Sequence, residues 1–218
     1  MRVLKFLFAA VCMLCLSMPV LADVMPYYGS SLSKDTIGFL QVPKSFHLYK
    51  SPSLDSQDLD FLTWTNSEVQ LSSGKYDSVN TFAALVPSKS FAFCTVVDEQ
   101  DGWYKIIYDK KHNLSGWVKP TIKEDFWNLR EFYQIFGKKY GLYYLRDIPE
   151  AKKNLYSAPA DDAQKVGGFN IVKYIKLTII RGNWALISVL DLDSSIKTGF
   201  IRWRSNDGQL YLFPQLDE

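Results

Sequence analysis

Histidine and cysteine are scarce in this chain, with two His and three Cys in 218 residues. Metal centres and Cys–His catalytic pairs need such side chains at ligand or hydrogen-bond spacing, so little is available to build either. A surplus of one charge is missing too. Lys and Arg total 25 against 23 Asp and Glu, a formal charge of +2, which argues against a nucleic acid held by a basic surface. No Gly-rich phosphate loop, Gly-x-Ser-x-Gly elbow or dinucleotide fingerprint occurs. Apolar and aromatic residues, by contrast, make up 47% and 15% of the chain. That is enough for one or two packed cores and too rich for intrinsic disorder.

The strongest apolar run stands at the start. Arg2 and Lys5 precede the stretch Phe6 to Leu16, and Val20-Leu21-Ala22 ends it with a small residue where a signal peptidase cuts. The run is broken by Ser17 and Pro19 and is shorter than the roughly 20 apolar residues of a membrane span. Residues 1–22 therefore read as a signal peptide. Lipid attachment is not expected, because Cys12 follows Val11 and Cys15 follows Leu14 rather than a small residue. The expectation is export to the periplasm or the extracellular space, with no membrane span after cleavage. Losing Arg2 and Lys5 leaves 23 basic against 23 acidic residues, and Cys94 stands alone. Apolar cores rather than disulfides must then hold the mature protein together.

Self-comparison shows one pattern twice. Leu48-Tyr49-Lys50-Ser51-Pro52 is echoed by Leu155-Tyr156-Ser157-Ala158-Pro159. Asp101-Gly102-Trp103-Tyr104-Lys105-Ile106-Ile107 parallels Arg181-Gly182-Asn183-Trp184-Ala185-Leu186-Ile187, and Gly116-Trp117-Val118-Lys119 parallels Gly199-Phe200-Ile201-Arg202. Tyr49 to Trp103 spans 54 positions and Tyr156 to Trp184 only 28, so the first repeat carries about 26 extra residues, expected near 58–84. That insertion, with Trp64, Tyr76 and the breaker Ser72-Ser73-Gly74, reads as a loop or an extra hairpin, either functional or covering a sheet edge.

Both repeats read as β. Aromatic and β-branched runs, Phe91 to Val97 with Trp103 to Tyr108 and Ile171 to Ile180 with Trp184 to Leu190, are split by turn-forming residues. Short strands at such close spacing predict a mainly β fold of two small barrels, over 37–120 and 140–215. Between them one helix is expected over 121–139. Thr121 and Glu124 fit a capping box, and Phe126, Leu129, Phe132, Tyr133 and Phe136 follow at helical spacing, with Gly137 as C-cap. Its aromatic face should pack against one or both barrels and fix their orientation.

Leu-Tyr-x-x-Pro, Asp-Gly-Trp-Tyr-Lys-Ile and Gly-Trp-Val, in this order and at hairpin-sized gaps, resemble the bacterial SH3-like domain of exported and cell-envelope proteins. The resemblance covers Gly38 to Pro120 and, with Asn183 and Phe200 departing from the pattern, Tyr140 to Pro214. It implies binding rather than catalysis, with a peptidoglycan-derived peptide or glycan, or an envelope protein, as partner.

The residues themselves are consistent with a non-enzyme without a cofactor. Cys94 lies in the apolar run Phe91 to Val97, with no basic neighbour or helix start to activate a thiol. His47 and His112 lack a second ligand at metal spacing, and the acidic pairs Asp161-Asp162 and Asp191 with Asp193 fall in turns. Aromatic contact remains. Strand alternation puts Trp103 on a face with Lys105 and Trp184 on one with Ser188, opposite the core candidates Tyr104 with Ile106 and Ala185 with Ile187. By analogy with the peptide groove of eukaryotic SH3 domains, which similarly placed Trp residues line, Trp103 and Trp184, with Tyr49 and Tyr156 beside them, are the candidate ligand contacts; the alternative is that both Trp are simply packed. A scaffold or assembly protein of an envelope complex, touching no peptidoglycan, is the rival reading, and the neutral mature chain suits it.

Overall fold

The structure is a computed structural model that describes residues 32–65, 68–86, 89–121, 125–145, 148–168 and 172–216. The signal segment and Glu124 lie outside the described residues. The first repeat comprises β1 (Gly38–Gln41), β2 (Ser45–Tyr49), β3 (Asp58–Trp64), β4 (Glu68–Leu71), β5 (Gly74–Asp77), β6 (Phe82–Val86), β7 (Phe91–Gln100), β8 (Trp103–Asp109), β9 (Leu114–Val118) and β10 (Phe126–Asn128). The second comprises β11 (Leu142–Tyr144), β12 (Asn154–Tyr156), β13 (Lys165–Gly168), β14 (Val172–Arg181), β15 (Trp184–Asp191), β16 (Ile196–Arg202) and β17 (Leu212–Pro214).

The fold is mainly β, in two sheets. Their strand orders are β10-β1-β7-β8-β9-β2-β3-β4-β5 and β17-β11-β14-β15-β16-β12-β13, so seven strands correspond one for one. Among the described residues neither order closes on itself by hydrogen bonds. Register strengthens the correspondence. Tyr49 pairs with Trp117 and Tyr156 with Phe200; a bulge falls between Val96 and Asp98 in β7 and between Leu177 and Ile179 in β14. Each bulge precedes its Trp by the same number of residues. The hairpin loops that follow are two residues long, and Asp101 and Gly102 both take positive φ, 50° and 74°, as the tightest β-hairpin turn requires.

Register also places the start of the insertion, expected near 58–84, after Asp58. Tyr49 opposite Asp58 matches Tyr156 opposite Lys165, so the shared pattern runs on into β3, and the extra residues lie between β3 and β7. They form the hairpin β4–β5, a helical turn Ser78–Thr81 and β6, which pairs with the start of β7 and is buried throughout. The insertion builds core as well as covering it.

The segment between the repeats departs from the expected helix over 121–139. Phe126–Asn128 is a strand on β1, with Gly38 opposite Asn128 and Leu40 opposite Phe126. Alternation explains this, because Phe126 stacks on Tyr104 at 4.4 Å while Trp127 turns the other way, onto Phe93 at 5.9 Å. Gly38 permits the pairing, since a Cβ there would lie 2.4 Å from the Trp127 carbonyl. The helix starts only at Leu129, where the Asn128 side chain accepts the Glu131 N–H at 3.0 Å. It runs as Leu129–Phe132, a π-turn Tyr133–Gly137 and Lys138–Tyr140, passing through Gly137 and ending at Gly141, whose φ is +83°.

The buried residues form two cores, and the helix contributes to one of them. One core belongs to the first repeat, with Leu48, Leu62, Val69, Phe82, Cys94 and Ile106 among its members. The other combines Phe39 and Phe93 of the first repeat, Phe132 and Tyr133 of the helix, and Ile187, Ile201, Trp203 and Phe213 of the second. Phe132 lies 4.4 Å from Phe39, 5.2 Å from Phe93 and 5.6 Å from Phe213, ring centre to ring centre. Among the described residues no helix is long and apolar enough to cross a membrane. Since Phe132 is fully buried in a core both repeats share, Phe132→Ala should cost about 3–5 kcal/mol, typical for a core Phe truncation, with both halves unfolding in one transition when followed by denaturant titration.

Candidate functional site

The four aromatic candidates come together as two pairs. Tyr49 meets Trp103 edge-on at 5.3 Å, and Tyr156 meets Trp184 edge-on at 5.4 Å. Each Trp is also covered by a cation. Lys119 Nζ stands 5.5 Å over Trp103, and the Arg202 guanidinium 4.7 Å over Trp184. Under these covers Trp103 is 6% and Trp184 7% exposed, so neither ring offers a face to solvent, whereas Tyr49 and Tyr156 are half-buried. The opposite strand face is core, as alternation requires, with Tyr104, Ile106, Ala185 and Ile187 buried.

What is open lies beside the first pair. A groove of about 350 Å³ runs between β2, the Leu54 loop and the chain after β9, lined by Phe46, His47, Tyr49, Leu54, Lys119 and Pro120 among others. Leu54 is 73% exposed on its rim. Aromatic rings continue along the same face. Phe61, 45% exposed and paired with His47 across β2 and β3, lies 4.7 Å from the His47 ring, and His47 lies 6.1 Å from Tyr49. Phe61, His47, Tyr49 and Trp103 thus form one row that ends under Lys119.

The second repeat keeps the pair and loses the row. Asn154 stands where the first repeat has His47, and Gly168 where it has Phe61. Arg202 is fixed by Asp161, which accepts from its Nε at 2.7 Å and from Nη2, and by Asn206, which accepts from Nη1 at 3.0 Å. Hydrogen bonding with Arg202 lowers the Asp161 carboxyl pKa and raises that of the guanidinium. Motif matching could have found Lys119 and Arg202, since each follows the Gly-Trp-Val or Gly-Phe-Ile triplet directly. Leu54, Phe61 and the Asp161–Arg202 pair had no local signal.

Cys94 is fully buried, and desolvation pushes its thiol pKa up, away from the reactive thiolate. His47 Nδ1 lies 2.8 Å from Asp58 and His112 Nδ1 2.7 Å from Asp109. Among the described residues no group of three His, Cys, Asp or Glu is placed to hold a metal. Another cavity, of about 490 Å³ between the start of the helix and the second repeat, is lined by Arg130, Arg181 and Arg204 together with Leu129 and Trp203. No family model matches the chain, and no curated protein matches it in sequence.

Beneath the first sheet, Lys110 turns its ammonium inward to donate to the Phe82 carbonyl at 2.8 Å. Burial pulls its pKa from 10.5 down to about 8, with Cys94 and Asp77 opposing the shift. Between those values the unfolded chain holds a proton that the folded chain has released, so stability rises with pH there. The denaturation midpoint should therefore climb from about pH 8 toward pH 10, and Lys110→Met should flatten that climb; equal slopes for the two proteins would contradict the assignment.

Proposed function

We propose that the chain is an exported, non-catalytic binding protein of the cell envelope, built from two bacterial SH3-like barrels joined by a helix. In this reading the first repeat recognises a wall-derived peptide, a glycan or an envelope protein. The observation that carries the reading is the row Phe61, His47, Tyr49 and Trp103, in which His47 and Tyr49 line an open groove together with Lys119. Flat rings with polar edges serve extended peptides and sugars alike, because they offer apolar area at small entropic cost. The sevenfold strand correspondence and the repeated Tyr–Trp–cation stack support the tandem-domain part of the reading.

In this scheme Trp103 and Trp184 act as the floor under Tyr49, Tyr156 and their cations, rather than as the surface the ligand touches. Binding strength should therefore follow Tyr49 and Phe61, whose edges reach solvent. Co-sedimentation of Asp23 to Glu218 with purified peptidoglycan should show binding that falls about tenfold or more in a Tyr49→Ala Phe61→Ala variant whose circular dichroism is unchanged. Undiminished binding by that folded variant would remove the site assignment.

The scaffold reading has its own support in the arginine-lined cavity between the helix start and the second repeat, a surface suited to an acidic partner protein. If it is right, the parent should fail to sediment with peptidoglycan and should capture one envelope protein stoichiometrically, and an Arg181→Glu Arg204→Glu variant should lose that protein.

A further inference from the structure

The two repeats differ at one pair of positions in a way that says what the open groove takes. Their loops after the Tyr follow the same backbone path. Lys50 N–H donates to the Gln57 carbonyl at 3.2 Å and Ser157 N–H to that of Gln164 at 2.9 Å; Ser53 donates to Ser51 at 2.8 Å and Ala160 to Ala158 at 2.9 Å. Leu54 and Asp161 therefore occupy equivalent places. In the second repeat the Asp161 carboxylate reaches over and pairs with the cation lying on Trp184. In the first, that place is taken by an exposed Leu54, and the cation on Trp103 donates to the Asp101 backbone carbonyl at 3.0 Å. Among the described residues no carboxylate is paired with Lys119. An ammonium carries three donors, and this one stands at the edge of a groove of about 350 Å³.

We infer that the groove of the first repeat binds the free C-terminal carboxylate of an extended peptide on Lys119, in the position that Asp161 fills from within in the second repeat. This deepens the binding reading above and rests on the first groove being the ligand site. The internal ion pair serves as the template: the same Tyr–Trp floor, the same hairpin end and the same basic position already hold a carboxylate once in this molecule. Asp55 beside Leu54 does not argue against it, since Asp162 stands equally beside Asp161. The groove's volume lies at the small end of the roughly 300–1,000 Å³ of ligand pockets, room for a chain end rather than for a long segment. Leu54, Tyr49 and Pro120 supply apolar surface for the last side chain. The second repeat, closed by its own carboxylate, stays empty.

The test is calorimetric titration of Asp23 to Glu218 with N-acetyl-alanyl-leucine as free acid and as C-terminal amide. The acid should bind at one site and the amide about tenfold or more weakly. Leu54→Asn removes apolar surface from the groove rim and serves as the neutral reference; Leu54→Asp, which also supplies the carboxylate internally, should bind the acid about tenfold or more weakly than Leu54→Asn. Equal affinity for acid and amide, no acid binding, or equal effects of the two Leu54 variants would each overturn the inference. Peptidoglycan binding separates this from the broader reading. A chain that sediments with the wall yet does not distinguish acid from amide keeps the wall reading and loses the carboxylate site. A chain that distinguishes them without sedimenting keeps the site and loses the wall.

Discussion

Everything in this molecule depends on the burial of two consecutive aromatic residues, Phe132 and Tyr133, between the two sheets. Phe132 touches rings from both repeats, and Tyr133 packs 4.5 Å from Trp203 while its hydroxyl donates to the Leu212 carbonyl. A phenol so deep is tolerable because its polar atom has that partner; burial raises its pKa well above the ordinary value. The repeats are thereby one body with a common interior rather than beads on a linker. Polar contacts reinforce the seam at its edge, where Lys34 pairs with Asp207 and Lys89 donates to the Leu216 carbonyl at 3.2 Å. Such exposed pairs contribute little beside the aromatic core, which sets the relative orientation of the two surfaces.

A rigid pair of similar units allows their surfaces to diverge without loss of fold. Both keep the Tyr–Trp stack under a cation, which stabilises the hairpin end by burying an indole and lending it a positive charge. Only the first adds an aromatic row and an open groove. The second spends the equivalent loop position on an internal ion pair that ties the Asp161 loop to β16. One repeat is thus tied by an internal ion pair and the other left with an exposed leucine at its rim.

Much of this was legible before any coordinates. The doubled motif anticipated two sheets and the turns at Asp101-Gly102 and Gly182-Asn183, and strand alternation put Tyr104 and Ile106 in the core. The neighbourhood of each Tyr and its Trp came from likeness to SH3 grooves rather than from spacing. Less legible was the segment after Pro120. Helical spacing of Phe126 with Leu129 and Phe132 concealed a strand, because the deciding facts were the vacancy at Gly38 and the Tyr104 ring waiting for Phe126, both far away in sequence. The Leu54 rim was hidden for the same reason.

The division has a physical cause. Short-range periodicity, turn residues and repetition are properties of neighbouring side chains, so the chain by itself determined its mainly β character, its doubled motif and its scarcity of histidine and cysteine. Which Trp would be covered, where the helix would begin, which loop would close on an arginine and which would leave a groove depended on residues brought together across 41 positions, as Asp161 and Arg202 are. Contacts of that span exist only once the sheets have formed and packed on Phe132, and so only the tertiary structure could decide them.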